Sequence, residues 1–317
     1  MANGMRNTAK PRIAVLSVNP GIDRTMYFDA PLEKGEVNRA VRTATDQGCK
    51  GGNAAIVLSR LGADVTYFTF TGGEFGALYE GFFQKEEMRT VAIPTAAGVR
   101  LNVKVADGTS FTECNQRGGP VSAHECAQMR QALCDAEFDC LYLAGSLPQG
   151  MPSDFYASCV ALAKRKSAVT VVDCDGEVLK KTLAAAPDFI KPNQKELMAL
   201  IPEGDGIRAK ISHFREKYPQ TVLVLSLGGD GAVLANEKNT IYASALPTSV
   251  RGTVAAGDTF LSAFTYALLC GEDQTDALRS ATAAASAKVA LEGTALPSKA
   301  QMQERVSEVT VTEFQDK

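Results

Sequence analysis

The sequence has no tryptophan, and its 317 residues include only two histidines, His124 and His213. Aromatic residues make up 7% of the chain, so we expect no large surface for stacking planar ligands. Two distant histidines offer few candidates for the base of a Ser-His-Asp or Cys-His hydrolase. The eight cysteines contain no Cys-x-x-Cys pair, which argues against a zinc-finger site. We interpret them as buried thiols in a reducing cytoplasm.

Long apolar runs and an excess of one charge are absent as well. The longest apolar stretch, residues 260–270, is too short to span a membrane and contains Ser and Thr. Residues 1–12 lack the apolar core of a secretory signal. A net charge of −3 provides no basic field for binding nucleic acid. These absences predict a cytoplasmic protein with no membrane segment and no nucleic-acid partner.

Apolar strand-like runs alternate with helical patterns along most of the chain. Strands are predicted at residues 13–18, 65–70, 140–143, 169–173, 188–190 and 222–227. Helices are predicted at residues 52–61, 75–88, 152–166, 177–186, 194–200, 206–218, 257–270, 275–291 and 299–309. Such alternation indicates a mostly parallel sheet with helices on both faces. We see no linker, so the sequence predicts one α/β domain over residues 1–317.

Two polar, extended segments interrupt this alternation, at about residues 24–47 and 99–115. The second contains Asp107-Gly108 between two strand-like runs, which is a hairpin signal. The two segments predict a small β-layer that forms a lid on the main sheet. Exposed strand edges invite pairing, so a homodimer through the lid is a further prediction.

The strongest local motif is Ala255-Ala-Gly-Asp258, which opens an apolar helix. Small residues let backbone N–H groups approach an anion, and a helix N-terminus adds a positive partial charge. Asp258 can equally serve as an ordinary helix cap. The chemical alternative is a carboxylate that accepts a hydroxyl proton beside amides that hold a transferring phosphate, as a small-molecule kinase requires.

A second glycine-rich segment, residues 48–53, also opens a predicted helix but lacks the residue order of a P-loop. Its Lys50 can face a phosphate and its Asn53 a hydroxyl, while the alternative is a plain glycine turn. In the run 100–104, two cations and an amide share one strand face. That face is either a solvated sheet edge or a binding surface for an anionic substrate.

Three polar turns follow predicted strands, where ligands of open α/β sheets are bound. Asp23 either accepts hydrogen bonds from sugar hydroxyls or belongs to an Asn-Pro-Gly turn. Asn193 and Glu196 either form a capping box or hold Mg²⁺ through water. The glycines of residues 226–231 either border a nucleotide or form a tight hairpin turn.

Each motif is weak alone, but their order along the chain is informative. The motifs are NPGID (19–23), GCKGGN (48–53), RLNVK (100–104), TECN (112–115), AGSLPQGMP (144–152), KPNQKE (191–196), SLGGDG (226–231) and AAGDTF (255–260). From Ile13 to Pro297 the sequence resembles the phosphofructokinase-B branch of the ribokinase-like sugar kinases. The resemblance implies a ribokinase-like three-layer α/β/α sandwich with a mostly parallel central sheet and a small β-lid.

The resemblance also implies an ATP-dependent, Mg²⁺-requiring kinase that acts on a small-molecule hexose phosphate. The expected reaction converts fructose 1-phosphate to fructose 1,6-bisphosphate. Two alternatives stay open: a kinase for tagatose 6-phosphate or another phosphosugar, and a binding regulator with weakened catalysis.

Site residues follow from the matched motifs. Asp258 would be the catalytic base, and the amides of Ala256, Gly257 and Asp258 would hold the γ-phosphate. Substrate binding would involve Asp23, Lys50, Gly51, Asn53, Arg100, Asn102 and Lys104, of which the three cations would face the substrate phosphate. ATP binding would involve Lys191, Asn193, Glu196, Ser226, Gly228, Gly231, Ala284 and Lys288. Asn193 and Glu196 would also serve Mg²⁺ through water.

The chain departs from the family pattern at two positions. Cys49 and Ala255 each stand where the family usually has glycine. If such a glycine has a positive φ, a Cβ there costs about 1 kcal/mol or more and can shift the loop.

Overall fold

The computed structural model describes residues 10–86 and 88–314, which form a ten-stranded sheet, a four-stranded sheet and helices around the larger one. The strands are β1 Arg12–Ser17, β2 Gly21–Tyr27, β3 Arg42–Gln47, β4 Asp64–Thr71, β5 Arg89–Pro94, β6 Arg100–Ala106, β7 Phe111–Asn115, β8 Cys140–Ala144, β9 Val169–Asp173, β10 Phe189–Ile190, β11 Val222–Ser226, β12 Ala232–Ala235, β13 Thr240–Ala243 and β14 Val311–Glu313. The helices are α1 Lys50–Leu61, α2 Gly76–Gln84, α3 Ala123–Asp135, α4 Phe155–Arg165, α5 Gly176–Leu183, α6 Gln194–Leu200, α7 Gly206–Lys217, α8 Ala256–Leu269, α9 Gln274–Val289 and α10 Lys299–Gln303.

The large sheet has the order β14-β13-β12-β11-β10-β9-β8-β1-β4-β5 and is parallel from β11 to β5. Strands β1, β4, β8, β9 and β11 are mostly buried on both faces, which is why they read as unbroken apolar runs. In β1, Ala14 and Leu16 pack into one core while Ile13 and Val15 pack into the other. Helices α3 to α7 cover the first face, and α1, α2, α8 and α9 cover the second. The predicted α/β/α layering is therefore confirmed.

The small sheet has the order β3-β2-β6-β7 and contains both segments predicted to leave the main sheet. β2 and β6 pair in parallel, and Asp23 lies opposite Asn102 in their register. The edge strand β7 is exposed, whereas Asp23, Asn102 and Lys104 on the inner strands β2 and β6 are buried. The small sheet thus presents polar side chains to the rest of the molecule. The single-domain assignment and the homodimer through its edges stay predictions.

Helix α3 is absent from the sequence prediction, although its signals are present. Ser122 and Glu125 form a capping box, and Cys126, Met129 and Leu133 bury one face of the helix. The predicted helix 299–309 is too long, because the chain forms α10 and then only a 3-10 turn at Val306–Glu308. The predicted helix 75–88 is also shorter in the structure, and residue 87 lies outside the described part of the chain.

The interpretation of the cysteines needs one correction. All eight are free and five are buried, but Cys114 on β7 and Cys270 after α8 are exposed. Among the helices of residues 10–86 and 88–314, none combines the length and the apolar character that a membrane crossing requires.

Candidate active site

A cavity of about 550 Å³ lies at the carboxyl ends of the parallel strands, between the large sheet and the small one. Ser17 ends β1, Gly145 follows β8, and Cys174 follows β9, and all three line the cavity. The N-termini of α1 and α8 approach it from the same side, through Lys50 and Ala255. Open α/β sheets bind their ligands at this end of the strands, so the cavity is the candidate active site.

The start of α1 is packed tightly against its neighbours. A Cβ at Gly48 would lie 2.1 Å from Oδ1 of Asp23, and a Cβ at Gly51 would lie 2.3 Å from Cβ of Ser17. Glycine at these positions therefore lets the helix start approach the lid and β1. Gly51 faces Ser17 and does not line the cavity, so its predicted contact with the sugar is not supported by the structure.

The start of α8 brings Asp258 to the cavity without making it a cap. Ala255 is the N-cap residue, with a left-handed backbone at φ +65° and no side-chain cap hydrogen bond. Asp258 lies in the first turn, and its Oδ2 accepts a hydrogen bond of 2.7 Å from Nδ2 of Asn53. The carboxylate is thus hydrogen-bonded to α1 and does not cap its own helix, so the helix-cap alternative is wrong.

Two backbone amides at the start of α8 remain available to an anion. The N–H groups of Gly257 and Asp258 have no acceptor anywhere in residues 10–86 or 88–314. The Ala256 N–H, by contrast, donates to the Thr253 carbonyl at 3.2 Å, so its predicted part in an anion hole is not supported. A helix N-terminus with free N–H groups is a ready anion site.

Burial dominates the electrostatics of Asp258. It raises the pKa of the carboxyl to about 6, and the nearby charge of Asp173 acts in the same direction. Lys50, the Asn53 hydrogen bond and Lys191 oppose this rise. A base with such a pKa is ionised at neutral pH and still accepts a proton readily, as general-base catalysis requires.

Asp173, the last residue of β9, belongs to the site although no sequence motif points to it. Its Oδ1 lies 2.9 Å from Nζ of Lys50, and its Oδ2 lies 3.4 Å from Nζ of Lys191. Burial opposes ionisation, but the two ammonium groups keep the pKa of Asp173 below its ordinary value. A Cβ at Gly257 would lie 3.3 Å from Nζ of Lys191, so this ammonium group sits beside the free amides. Asp173 thereby holds two cations at the anion site.

On the lid side, Asp23 is bound from two directions. Its Oδ1 accepts a hydrogen bond of 2.8 Å from Nδ2 of Asn102, and its Oδ2 lies 3.2 Å from Nζ of Lys104. Lys104 also pairs with Glu113 at 2.9 Å, so two carboxylates neutralise its charge. This pairing argues against its predicted role at a substrate phosphate. Oδ1 of Asn102 is buried and has no partner in the described chain, so it can accept a ligand hydroxyl.

Arg100 and Lys50 are the other two cavity cations with a predicted phosphate role. Nη1 of Arg100 donates to the Gln116 carbonyl at 2.9 Å, whereas its buried Nε lacks a partner among the residues described. Lys50 also lines the cavity, and its pKa is raised by the charge of Asp173. The structure therefore brings the two cations to one cavity, as the motifs predict.

The segments predicted to bind ATP are neighbours in the fold. The Ser226 N–H donates to the Pro192 carbonyl at 3.2 Å, beside Asn193, which lines the cavity. Space around the Cβ position of Gly228 is open, but a Cβ at Gly231 would lie 2.1 Å from the Ala243 carbonyl oxygen. Gly231 is therefore explained by its tight turn.

Asn193 and Glu196 form the capping box of α6, with hydrogen bonds of 2.8 and 3.0 Å between side chains and backbone. No group of three or more acidic, His or Cys residues in the described ranges could hold a metal ion alone. Mg²⁺ usually takes its ligands from substrate phosphates, water and one or two carboxylates. The predicted Mg²⁺ role of this pair is compatible with such binding and stays a prediction.

Two predicted nucleotide contacts, Ala284 and Lys288, do not line the cavity. Ala284 is fully buried in a cluster with Val57, Leu61, Ala263 and Met302. Its side chain therefore cannot reach a ligand in the cavity.

Lys288 is fully buried too, and its Nζ donates to the carbonyls of Gly293 at 3.0 Å and Gly252 at 3.5 Å. Burial lowers the pKa of Lys288 to about 8. This lysine ties together the segments that flank α8 and α9 and does not line the cavity.

Comparisons with known proteins agree with this geometry. The sequence matches the family described as pfkB family carbohydrate kinase over residues 18–301. A 1-phosphofructokinase of Haloferax volcanii is 32% identical over 290 residues, which cover 90% of this chain and 93% of that protein. A tagatose-6-phosphate kinase of Staphylococcus epidermidis is 27% identical over 282 residues, covering 86% and 90%. Phosphofructokinase-2 of Escherichia coli has a TM-score of 0.87 at 24% identity, covering 94% and 99%, and its similarity confirms the predicted ribokinase-like fold.

Proposed function

The chain belongs to the pfkB family of carbohydrate kinases, and from this premise we propose that it phosphorylates fructose 1-phosphate to fructose 1,6-bisphosphate with ATP. The observation that carries the proposal is the buried carboxylate of Asp258, which lies beside the free backbone N–H groups of Gly257 and Asp258. They adjoin a cavity lined by Lys50 and Arg100. A relative named 1-phosphofructokinase supports this choice of substrate.

Asp258 would act as the general base. Its carboxylate accepts the proton of the sugar hydroxyl as the hydroxyl oxygen forms a bond to the γ-phosphorus of ATP. The bond between that phosphorus and the bridging oxygen breaks at the same time, and ADP leaves. Asp258 then loses the proton to solvent. The pKa of about 6 suits both steps, because the group is ionised at neutral pH before the reaction.

Backbone and lysine charges would stabilise the phosphoryl group in transfer. The N–H groups of Gly257 and Asp258 donate to its oxygens, and Lys191, beside Gly257, adds positive charge. Asp173 keeps this ammonium group in place. Mg²⁺, when bound, neutralises charge on the ATP phosphates, with Asn193 and Glu196 reached through water.

The lid would bind the sugar and exclude water. Asp23 and Oδ1 of Asn102 accept hydrogen bonds from sugar hydroxyls, while Arg100 and Lys50 bind the phosphate that the substrate already carries. Closure of the lid suppresses transfer of the phosphoryl group to water.

The test measures ADP release by the purified protein with Mg²⁺-ATP and a panel of sugar phosphates. The panel contains fructose 1-phosphate, fructose 6-phosphate, tagatose 6-phosphate and unphosphorylated fructose, with the Asp258→Asn variant as the matched control. Turnover fastest with fructose 1-phosphate, and lost in the variant, supports the proposal. Preference for tagatose 6-phosphate favours the second candidate, which the Staphylococcus epidermidis relative supports. Binding without turnover would overturn both in favour of a regulator.

A further inference from the structure

A continuous chain of hydrogen bonds leads from the start of α1 to Asp258. Gln47 ends β3 with a buried side chain, and its Nε2 donates to Oδ1 of Asn53. Nδ2 of the same Asn53 donates to Oδ2 of Asp258. At the other end, Oε1 of Gln47 accepts from the Cys49 N–H at 3.2 Å. Neither the composition nor the motifs of the sequence point to Gln47.

The two ends of this chain, a backbone N–H that donates and a carboxylate that accepts, allow only one arrangement of the hydrogen bonds between them. An ionised Asp258 only accepts hydrogen bonds, so Asn53 has to present its NH₂ group. Asn53 then presents Oδ1 to Gln47, which has to donate from its own NH₂ group. The remaining Oε1 of Gln47 is an acceptor and meets a backbone N–H, which only donates. Each amide therefore has one orientation that satisfies both of its neighbours.

We propose that Gln47 is a positioning residue for the kinase reaction, which orients the Asn53 amide so that its NH₂ group stays on the catalytic carboxylate. The inference rests on the proposed role of Asp258. Without the Gln47 donor, Asn53 can rotate its amide and direct Oδ1 at Asp258. Two acceptors then face each other, and Asp258 is ionised less readily.

The packing supports a specific role for a glutamine at this position. A Cβ at Gly52 would lie 2.2 Å from Oε1 of Gln47, so the glycine makes room for the amide. An apolar side chain of the same length would leave Oδ1 of Asn53 without a donor. Gln47 itself carries no charge, and its influence on the reaction passes through Asn53.

The charged and titratable groups around Asp258 belong to several elements. Lys50 on α1, Asp173 on β9, Lys191 after β10 and the buried hydroxyl of Tyr142 on β8 all face it. Within residues 10–86 and 88–314, the thiol of Cys49 is the only titratable side chain that is hydrogen-bonded to Gln47, at 3.6 Å from its Oε1. A substitution of Gln47 leaves these groups unchanged, so a shift in the pH profile reports on the Asn53 amide.

The first variant is Gln47→Met, which keeps the length and removes the hydrogen bonds of the amide to Asn53 and Cys49. The acidic limb of kcat/KM against pH should move upward by about one pH unit, so that activity at pH 6 falls about fivefold. At pH 8 and above, where Asp258 is ionised in both proteins, the variant should recover most of its activity. In an Asp258→Asn background the same substitution should have no further effect on kcat.

A second variant tests the same donor with a side chain of the same length. Gln47→Glu loses the NH₂ group, and its ionised carboxylate only accepts hydrogen bonds, so the acidic limb of kcat/KM against pH should move upward as in Gln47→Met. This variant preserves the test if Gln47→Met does not fold. The matched control is Thr282→Val, which removes a buried hydrogen bond on α9 and should lower the melting temperature without moving the pH profile.

The outcomes separate this inference from the proposed function. If the parent protein phosphorylates no sugar phosphate, or Asp258→Asn retains full activity, the proposed function fails. If the parent protein is active and both Gln47 variants keep its pH profile, the proposed function stands and the role of Gln47 is refuted.

Discussion

Helices α1 and α8 begin at the same cavity, but they are held there by different means. Neither N-cap residue makes a side-chain cap hydrogen bond. The Cys49 backbone is extended at φ −130°, whereas Ala255 is left-handed at φ +65°. Side chains around Cys49 hold the start of α1, because its N–H donates to Gln47 and its thiol contacts the Tyr67 and Tyr79 hydroxyls at 3.3 and 3.0 Å. The start of α8 relies on a backbone turn.

This difference matches the contribution of each helix to the site. α1 supplies side chains, Lys50 and Asn53, which need a rigid base but no free backbone. α8 supplies free N–H groups, and a conventional cap on Ala255 would occupy them. A helix start without a side-chain cap therefore leaves its N–H groups open to an anion. The comparison also shows that one glycine replacement, Ala255, is strained while the other, Cys49, is not.

The largest effect on activity is expected at Asp258, because α8 supplies the general base and α1 does not. Asp258→Asn keeps the size of the side chain but cannot accept the proton, so kcat should fall by about 10² to 10⁴. The affinity for ATP should be unchanged or higher, because a negative charge near the γ-phosphate is removed. Kinetics and ATP binding, with the melting temperature as a fold control, test this. A near-normal kcat would refute the catalytic role.

The next effect concerns the cations that α1 and the lid direct into the cavity. Arg100→Ala should lower kcat/KM for the sugar phosphate about ten- to a hundredfold, because a charged hydrogen bond in the pocket is lost. The matched control is Arg24→Ala on β2, next to Asp23 and so on the opposite face of the lid. It should change kcat/KM by no more than about twofold. An effect of Arg100→Ala confined to KM for ATP would contradict the assignment.

The pH dependence should reveal the buried carboxylate of α8. Because the pKa of Asp258 is about 6, kcat/KM should fall about tenfold per pH unit below 6 and level off above it. The same group affects stability: its pKa is higher in the folded protein than in the unfolded chain, so its stabilising contribution is lost as the pH rises from about 4 to 6.

The stability effect can be isolated by comparison with Asp258→Asn, which does not titrate. The melting temperature of the variant, relative to the parent protein, should increase as the pH rises from 4 to 7. A constant difference over that range would show that the pKa of Asp258 is not raised in the folded protein.

The sequence predicted the layers of the fold and the two helix starts, but not how their side chains pair. Unbroken apolar strands indicated the layers, and the glycine-rich motifs indicated the two helix starts. Asp173 escaped notice because its partner Lys50 is 123 residues away along the chain. Ala284 and Lys288 were assigned to the nucleotide from the resemblance alone, and the small residues of α9 give no clear apolar periodicity that would have shown them to be buried. Gln47 acts through the orientation of an amide, which leaves no pattern in the sequence.

The smallest effects are expected on stability, when glycine replaces Ala255 before α8 or Cys49 before α1. Ala255→Gly relieves about 1 kcal/mol of backbone strain and loses about 0.4–1 kcal/mol through the more flexible unfolded chain, so stability should stay equal or rise slightly. Cys49→Gly has no strain to relieve and loses the thiol that contacts the two tyrosines, so it should destabilise the protein by about 1 kcal/mol or more. Chemical denaturation of both variants measures the difference. If Ala255→Gly is the more destabilising of the two, the left-handed turn is not strained, and the contrast between the helix starts has another origin.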